Sequence, residues 1–436
     1  MEQTPPIRED QPKPPLPGGN SAQRVVFRFV SAYLTLHILP FPADKFEPFD
    51  PIAAAYTNSE ATAVSWIAKH FLHLQNDVTR VFNGSGDTTF DYVKSLSILV
   101  IAAAVTLIWS AVGSRKTRYT YLHDFLRTYI RFFLAYNLIS YGVDKVLPLQ
   151  FPAPSADRLM TTYGDSSPMS LVWTFMGSSR AYALFTGAFE ILGGLLLVLR
   201  RTTTLGALIG AGVLANIVML NFCYDVPVKL YSSHLLLMAL FLLFPDLRRL
   251  ADFLIFNRPT IPKSLLPATE PRWARIPRLL AGLTFAALMV YSIAEGAMGN
   301  FQRRYAGPKP PLYGLYEVES FTRNGEEVPP LTTNAARWRS AYFGDYGVLS
   351  VRQMDDARLR FSVNVDESAK NINLSMRDDP SAKYSLKYSL PDNDHLLMEG
   401  RLMNDSLIVR LKRIDRPNSR LMDRGFHWIN ESPFNS

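Results

Sequence analysis

The stretch ALFTGAFEILGGLLLVL, residues 183–199, is apolar throughout except for one charged side chain, Glu190. It ends at Arg200 and Arg201, where a membrane-spanning helix would reach the polar surface. Glu190 lies about 15 Å from that end, near the middle of a hydrocarbon layer roughly 30 Å thick. A carboxylate at this depth costs several kcal/mol unless it is neutral, paired or facing a wet cavity. Glu190 is therefore the first candidate for a functional side chain.

The rest of the chain divides into an apolar part and a polar part. Residues 24–300 carry repeated apolar runs and predict an α-helical polytopic membrane bundle of about seven spans. Residues 1–23 are rich in proline and mixed in charge, which predicts a disordered tail. The runs long enough to cross a bilayer lie near 25–42, 92–112, 125–147, 180–199, 203–223, 231–247 and 277–297.

Basic residues lie between the apolar runs in an alternating pattern. By the positive-inside rule, this pattern places the N-terminus in the cytoplasm and the C-terminal domain outside. The net charge of +8 is then explained by membrane orientation. No basic tract interleaved with aromatics indicates nucleic-acid binding. The basic loop residues are Arg115, Lys116, Arg118, Arg200, Arg201, Arg248, Arg249, Arg258, Lys263, Arg272, Arg275 and Arg278.

The predicted outer loop 43–91 is long enough to contain a structure of its own. Apolar residues recur at helical spacing between Val64 and Leu72, which predicts an amphipathic helix lying at the outer membrane surface. His70, His73 and Asp77 have a spacing that metal ligands can adopt. Histidines on a wetted helix face usually contact only water, so we predict no metal site.

Polar side chains enter the bilayer in the third span. Arg127 and Lys145 are spaced so that they share one helix face, and Arg131 and Tyr141 lie close to it. Arg127 and Arg131 fall at the cytoplasmic end, where we expect their side chains to extend to the membrane surface. Lys145 falls at the outer end of the same span.

A second polar group surrounds the turn between the fifth and sixth spans. Asp225 and Lys229 could simply form an ion pair at the interface. Alternatively, Lys145, Asn221, Asp225 and His234 line a polar funnel that opens from the outer face toward Glu190. The candidate catalytic residues are Glu190, Lys145, Tyr141 and His234, and the candidate cofactor-binding residues are Asn216, Asn221 and Asp225.

Two motifs resemble DoxX-type membrane proteins. Arg131 is followed by the element Gly142-Val143-Asp144-Lys145, and the next span carries Phe189-Glu190-Ile191-Leu192-Gly193-Gly194 before basic residues. With the two following spans, the resemblance covers residues 121–250, under a third of the chain. It implies a small helical bundle in a bacterial inner membrane, protein partners in a membrane complex, and a quinone- or thiol-linked redox role. A looser architectural likeness is to the membrane domain of vitamin K-dependent carboxylases.

Residues 305–436 change to a period of two. Alternation is clearest in KYSLKYSL, residues 383–390, and turn signals such as Asn324-Gly325 separate similar stretches. About eight short strands predict an all-β antiparallel meander or lipocalin-like barrel outside the membrane. We expect the domain's own side chains to fill such a small barrel. The alternative is that the barrel holds a small apolar ligand.

Three functions fit these features, and whether the protein is an enzyme stays open. The first is a non-catalytic scaffold or binding component of a membrane complex. The second is an oxidoreductase-associated subunit in which Glu190, Tyr141 and Lys145 handle protons beside a quinone. The third is a lipid-substrate enzyme of carboxylase-like type, with Lys145 or His234 as base. Cys223 is the single cysteine, which excludes an internal dithiol pair, and no nucleotide, haem or iron–sulfur motif appears.

Overall fold

The computed structural model describes residues 21–81, 83–113, 119–260, 275–345, 347–376, 379, 381–415 and 419–434. The chain forms two compact units, one made of Met1–Phe151 with Ala181–Phe301 and the other of Pro152–Arg180 with Gln302–Ser436. The predicted tail up to residue 20 lies outside the described residues, as do the basic loop residues Arg115, Lys116, Arg118, Lys263 and Arg272.

The first unit is helical. Among the described residues, six helical segments are long and apolar enough to cross a membrane: Ser21–Lys45, Thr89–Val112, Arg180–Val198, Thr203–Cys223, Lys229–Leu254 and Leu279–Ala306. The predicted helical membrane bundle is confirmed, and the predicted span that is not among these six segments is 125–147. The α-helices that the structure describes are α1 (Ser21–Ile38), α2 (Asp50–His70), α3 (Thr89–Val112), α4 (Thr120–Val146), α5 (Ala156–Leu159), α6 (Pro168–Ser178), α7 (Arg180–Val198), α8 (Thr203–Cys223), α9 (Lys229–Leu243), α10 (Leu247–Leu254), α11 (Arg275–Phe301) and α12 (Arg420–Asp423).

Helix α4 is the predicted third span, and it forms the centre of the bundle. It is long enough to cross a bilayer, but its charged residues keep it out of the six apolar segments. Leu126, Ile130, Leu134 and Leu138 recur every four residues along α4, and all four are buried in the main core. Arg131 is buried as well, so it does not extend to the membrane surface as expected. The charges of α4 can be tolerated because neighbouring helices cover them.

The predicted outer loop contains helix α2, which begins earlier than the sequence suggested. Val64 and Ala68 of α2 pack with Val78, Phe90 and Val93, so that α2 lies against α3. Helix α3 begins with a capping box in which Thr88 and Asp91 bond to each other's backbone amides. The amphipathic helix is therefore confirmed as a helix with one packed face.

The second unit is built around a closed antiparallel barrel. Strand β1 pairs with β3, and each strand from β3 to β8 pairs with the one that follows it. Strand β9 also pairs with β1, which closes the ring. The two-residue strand β2 extends a hairpin from β1. The predicted barrel is confirmed, with eight strands in the closed ring. The strands are β1 (Gly314–Arg323), β2 (Glu326–Glu327), β3 (Trp338–Gly344), β4 (Val348–Gln353), β5 (Arg358–Asp366), β6 (Asn371–Met376), β7 (Lys383–Ser389), β8 (His395–Leu402) and β9 (Asp405–Ile414).

Large side chains of the barrel's own strands fill its interior. Phe321, Trp338, Phe343 and Phe361 are each at most 2% exposed and belong to one apolar cluster with side chains from the other strands. The period-two pattern produces this packing because alternate residues of a strand point to opposite faces of the sheet.

The segment between α4 and α7 packs with the barrel. Asp157 of α5 accepts a hydrogen bond from Ser350 at 3.0 Å. It also forms an ion pair with Arg358 at 3.4 Å. Thr161 also accepts a hydrogen bond from Arg358, at 2.7 Å. Residues 152–180, which the sequence placed inside a membrane domain over 24–300, therefore belong to the same compact unit as the strands.

Asp157→Ala should loosen this segment from the barrel without unfolding the strands. The substitution removes one acceptor from two partly buried donors, which costs about 1–2 kcal/mol. Tyr163 is 83% exposed in the same segment, so chymotryptic cleavage after Tyr163 should become faster. Asp366→Ala, at the exposed end of β5, is the matched control and should leave this cleavage rate unchanged. Equal cleavage rates in both variants and the wild type would show that Asp157 does not hold the segment.

Candidate functional site

Glu190 has a cationic partner inside the helical unit. Lys145 Nζ of α4 donates a hydrogen bond to Glu190 Oε2 of α7 at 2.7 Å. The two side chains are 7% and 1% exposed, so the pair is closed to the surroundings of the bundle. This partner meets the requirement that a carboxylate at membrane depth be paired or neutral. It also joins the two helices that carry the motifs found in the sequence.

Small residues bring the backbones of α4 and α7 close enough for this pair to form. A Cβ atom added to Gly142 would lie 2.7 Å from the carbonyl oxygen of Gly187. One added to Gly187 would lie 2.7 Å from the carbonyl oxygen of Gly142 and 3.0 Å from Lys145 Cβ. Gly194, two turns further along α7, packs against Ile139 in the same way. Close packing through small residues is a common means of helix association in membranes.

Two aromatic rings flank the ammonium group of Lys145. Lys145 Nζ lies 5.9 Å from the ring centroid of Tyr141 and 5.9 Å from that of Phe151. Both distances are within the range of a cation–π contact. Lys145, Glu190 and Tyr141 are thus brought together as the sequence suggested, while Phe151 was not anticipated.

His234 of α9 contacts a carbonyl oxygen of its own helix and two aromatic side chains of α1. Its Nδ1 faces the carbonyl oxygen of Leu230 at 2.7 Å, and its Nε2 faces the hydroxyl group of Tyr33 at 2.6 Å. Because a carbonyl only accepts, Nδ1 carries the proton and Nε2 accepts from Tyr33 in the neutral ring. The ring of His37 stacks on that of His234 with centroids 3.9 Å apart. Among the described residues, His37 Nδ1 is buried without a hydrogen-bond partner.

A further hydrogen bond connects α4 and α9 inside the bundle. Tyr231 donates to the side-chain oxygen of Asn137 at 2.5 Å, and the amide of Asn137 donates to the carbonyl oxygen of Phe133 at 2.8 Å. Asn137 is buried, so these bonds satisfy its polar groups away from water.

The three candidate cofactor-binding residues occupy different environments. Asn221 is buried and donates to Ser232 at 3.0 Å, joining α8 to α9. Asp225 lies in the turn, is 83% exposed and pairs with Lys229 at 2.8 Å, which is the interfacial ion pair considered from the sequence. Asn216 is exposed on the surface of α8. A funnel from these residues to Glu190 stays a prediction.

Asp87 connects the outer loop to the start of α9, a contact that the sequence did not reveal. Its carboxylate accepts from the backbone amides of Lys229 and Leu230, at 2.8 and 2.9 Å, and so caps the start of α9. Gly86 donates to the carbonyl oxygen of Pro227 at 2.7 Å. The outer loop is thereby fixed to the turn between α8 and α9. A separation of 142 residues between Asp87 and Lys229 left no local signal of this contact.

The geometry limits what the buried pair can do. In the closed ion pair, Lys145 is the hydrogen-bond donor and Glu190 the acceptor, so each group is engaged by the other. Proton transfer within the pair would give two neutral groups without moving a charge elsewhere. The arrangement as it stands fixes α4 against α7.

These features define a multi-pass membrane protein that carries a closed eight-stranded β-barrel and a buried lysine–glutamate pair between two helices. Comparison with curated proteins finds similarity to the uncharacterized protein YwoB of Bacillus subtilis (strain 168), 40% identical over 119 residues. That match spans 27% of this chain and 75% of YwoB. The chain belongs to the family of YwoB. No family model and no solved structure matches the chain.

Proposed function

We propose that the protein is a DoxX-like component of a bacterial inner-membrane complex, in which a non-catalytic bundle holds the barrel on the extracytoplasmic side. The observation that carries the proposal is the closed Lys145–Glu190 pair at 2.7 Å, which acts as a fixed joint between α4 and α7. The filled barrel interior supports the same role, because its outer surface is what it offers to a partner. Among the described residues, the six apolar segments and α4 are together long enough for seven crossings, and an odd number of crossings would support opposite sides for the two termini.

Quinone-linked proton handling is the second candidate function, and one observation favours it. Among the described residues, His37 Nδ1 is buried in the bundle without a hydrogen-bond partner, beside the His234–Tyr33 hydrogen bond. A quinone carbonyl is an acceptor that such a ring nitrogen could serve when protonated. The candidate site for this function is then His37 and His234 rather than Glu190.

The two functions differ in what purifies with the chain. The full-length tagged protein would be extracted from its native membrane in a mild detergent, separated by native electrophoresis, and assayed for bound proteins and extractable quinone. The scaffold role predicts a discrete complex with a partner at constant stoichiometry, and this complex should persist in the Lys145→Met/Glu190→Leu double variant. Migration of the chain without any partner protein would contradict it.

Quinone retention tests the second candidate separately. If the chain handles protons beside a quinone, quinone should co-purify with the wild type and be lost in His37→Phe and His234→Phe. His70→Phe is the matched control, because His70 is exposed on α2. Equal quinone content in all four proteins, or none in any of them, would reject the second candidate.

A further inference from the structure

Among the described residues, no carboxylate forms an ion pair with the buried cation Arg131. Its side chain on α4 is 9% exposed, and its Nε is buried without a hydrogen-bond partner among the described residues. In the described residues, the contact found for the guanidinium is with Phe132, whose ring centroid lies 5.0 Å from Arg131 Cζ. A guanidinium stays charged in proteins and offers five N–H donors. An unpaired buried charge is costly, so Arg131 requires an acceptor.

The surroundings of Arg131 are positively charged. Arg127 precedes Arg131 by one turn of α4, and Arg200 pairs with Asp124 about two turns before Arg131. The carboxylates at this end of the bundle are already engaged: Asp124 pairs with Arg200 at 3.5 Å, and Asp246 approaches Arg127 at 3.8 Å. Asp246 also approaches Arg249 at 3.9 Å and accepts from Thr204 at 3.0 Å. Among the described residues, these two carboxylates pair with three guanidinium groups, and neither of them pairs with that of Arg131.

The depth of Arg131 in the bundle can be compared with the end of α7. The Arg200–Asp124 ion pair places the end of α7 beside the first turns of α4. Arg131 lies seven residues after Asp124, which is about 10 Å along the helix. The backbone of Arg131 is thus about 10 Å further into the bundle than the end of α7, so a phosphate group has to enter between the helices to meet its side chain.

We propose that Arg131, with Arg127 and Arg200, binds a phosphate group at this end of the bundle. The planar guanidinium matches the oxygen geometry of phosphate, and a single phosphate can accept from more than one arginine. An anionic phospholipid and free inorganic phosphate share this chemistry. A lipid headgroup would approach from the level of Arg200, and basic sites between helices on the cytoplasmic side are known to recognise such headgroups.

The test uses the full-length chain in a neutral detergent, titrated with short-chain phosphatidylglycerol, short-chain phosphatidylcholine or inorganic phosphate. Binding would be followed by native mass spectrometry and by the shift in Tm. The wild type should prefer phosphatidylglycerol over phosphatidylcholine about tenfold, as expected for charged hydrogen bonds. Arg131→Gln should lose this preference, and Arg131→Lys should keep part of it. Equal Tm shifts with phosphate alone would identify a free anion as the ligand.

The sign of the stability change makes the test independent of misfolding. Without added ligand, Arg131→Gln should have a Tm equal to or above that of the wild type, since it removes an unpaired buried charge. With phosphatidylglycerol the order should reverse. Arg248→Gln, at an exposed arginine in the first turn of α10, is the matched control and should behave like the wild type. The proposal is overturned if neither phosphatidylglycerol nor phosphate distinguishes the wild type from Arg131→Gln.

Discussion

Glu190→Leu alone should destabilise the helical unit by about 3–5 kcal/mol, because it leaves the buried ammonium of Lys145 without its partner. Lys145→Met alone should have a similar cost, since the carboxylate of Glu190 then lacks its donor. Both side chains are almost wholly buried, so water cannot compensate for the missing group. Reversible unfolding of the purified chain in mixed detergent would give these changes in the free energy of unfolding.

The double variant Lys145→Met/Glu190→Leu should recover most of that loss. Replacing a buried ion pair by apolar side chains of similar volume is often neutral or stabilising, so the double-mutant cycle should show a coupling energy above about 2 kcal/mol. The Lys94–Glu60 pair provides the control, because it has the same kind of hydrogen bond, at 2.8 Å, with side chains 25% and 13% exposed. Lys94→Met and Glu60→Leu should each cost about 1 kcal/mol or less.

The same cycle separates stability from activity. If the double variant is stable and still assembles with its partner, the pair serves to hold α4 against α7. If it is stable but has lost a quinone-linked activity, the pair takes part in proton handling and the scaffold proposal fails. If the double variant is as unstable as either single variant, then the single variants are not unstable because one buried charge has lost its partner.

The buried pair could be anticipated in part from the sequence. The depth of Glu190 and the face shared by Lys145 and Tyr141 follow from helix geometry, and both facts limit the possible partners. Helix geometry could also have excluded Asn216 from the candidate cofactor-binding residues. Asn216 and Asn221 are five residues apart on α8, so at about 100° per residue they cannot face the same neighbour. The structure agrees, with Asn221 buried and Asn216 exposed.

Contacts between distant segments were beyond the sequence. Tyr33 and His234 are 201 residues apart, and no local pattern indicates that α1 and α9 are neighbours. The barrel shows the same limit. Alternation predicts its strands, but the pairing of β1 with β9 that closes the ring depends on the accumulated twist and register of the whole sheet. The docking of Asp157 on Arg358 rests on single polar contacts that no periodicity announces.

Gly142→Leu should prevent the close approach of α4 and α7 and destabilise the helical unit by about 3 kcal/mol or more. Even the Cβ of Gly142→Ala would lie 2.7 Å from the carbonyl oxygen of Gly187 and 2.7 Å from Ile191 Cγ1, so one helix must move. Gly212 on α8 is the matched control, because a Cβ there meets nothing within 4 Å. Gly212→Ala should leave stability unchanged or raise it by up to about 1 kcal/mol.

The cause of the Gly142 effect can be resolved by combining it with the loss of the ion pair. If Gly142 matters because it lets Lys145 reach Glu190, then Gly142→Ala should cost less in the Lys145→Met/Glu190→Leu background than in the wild type. If it matters only through backbone packing, the two costs should be equal, since the perturbations then act independently. We expect the smaller cost. A Cβ on the facing Gly187 would meet Lys145 Cβ at 3.0 Å, so the glycine contact and the lysine stem occupy the same space between the helices.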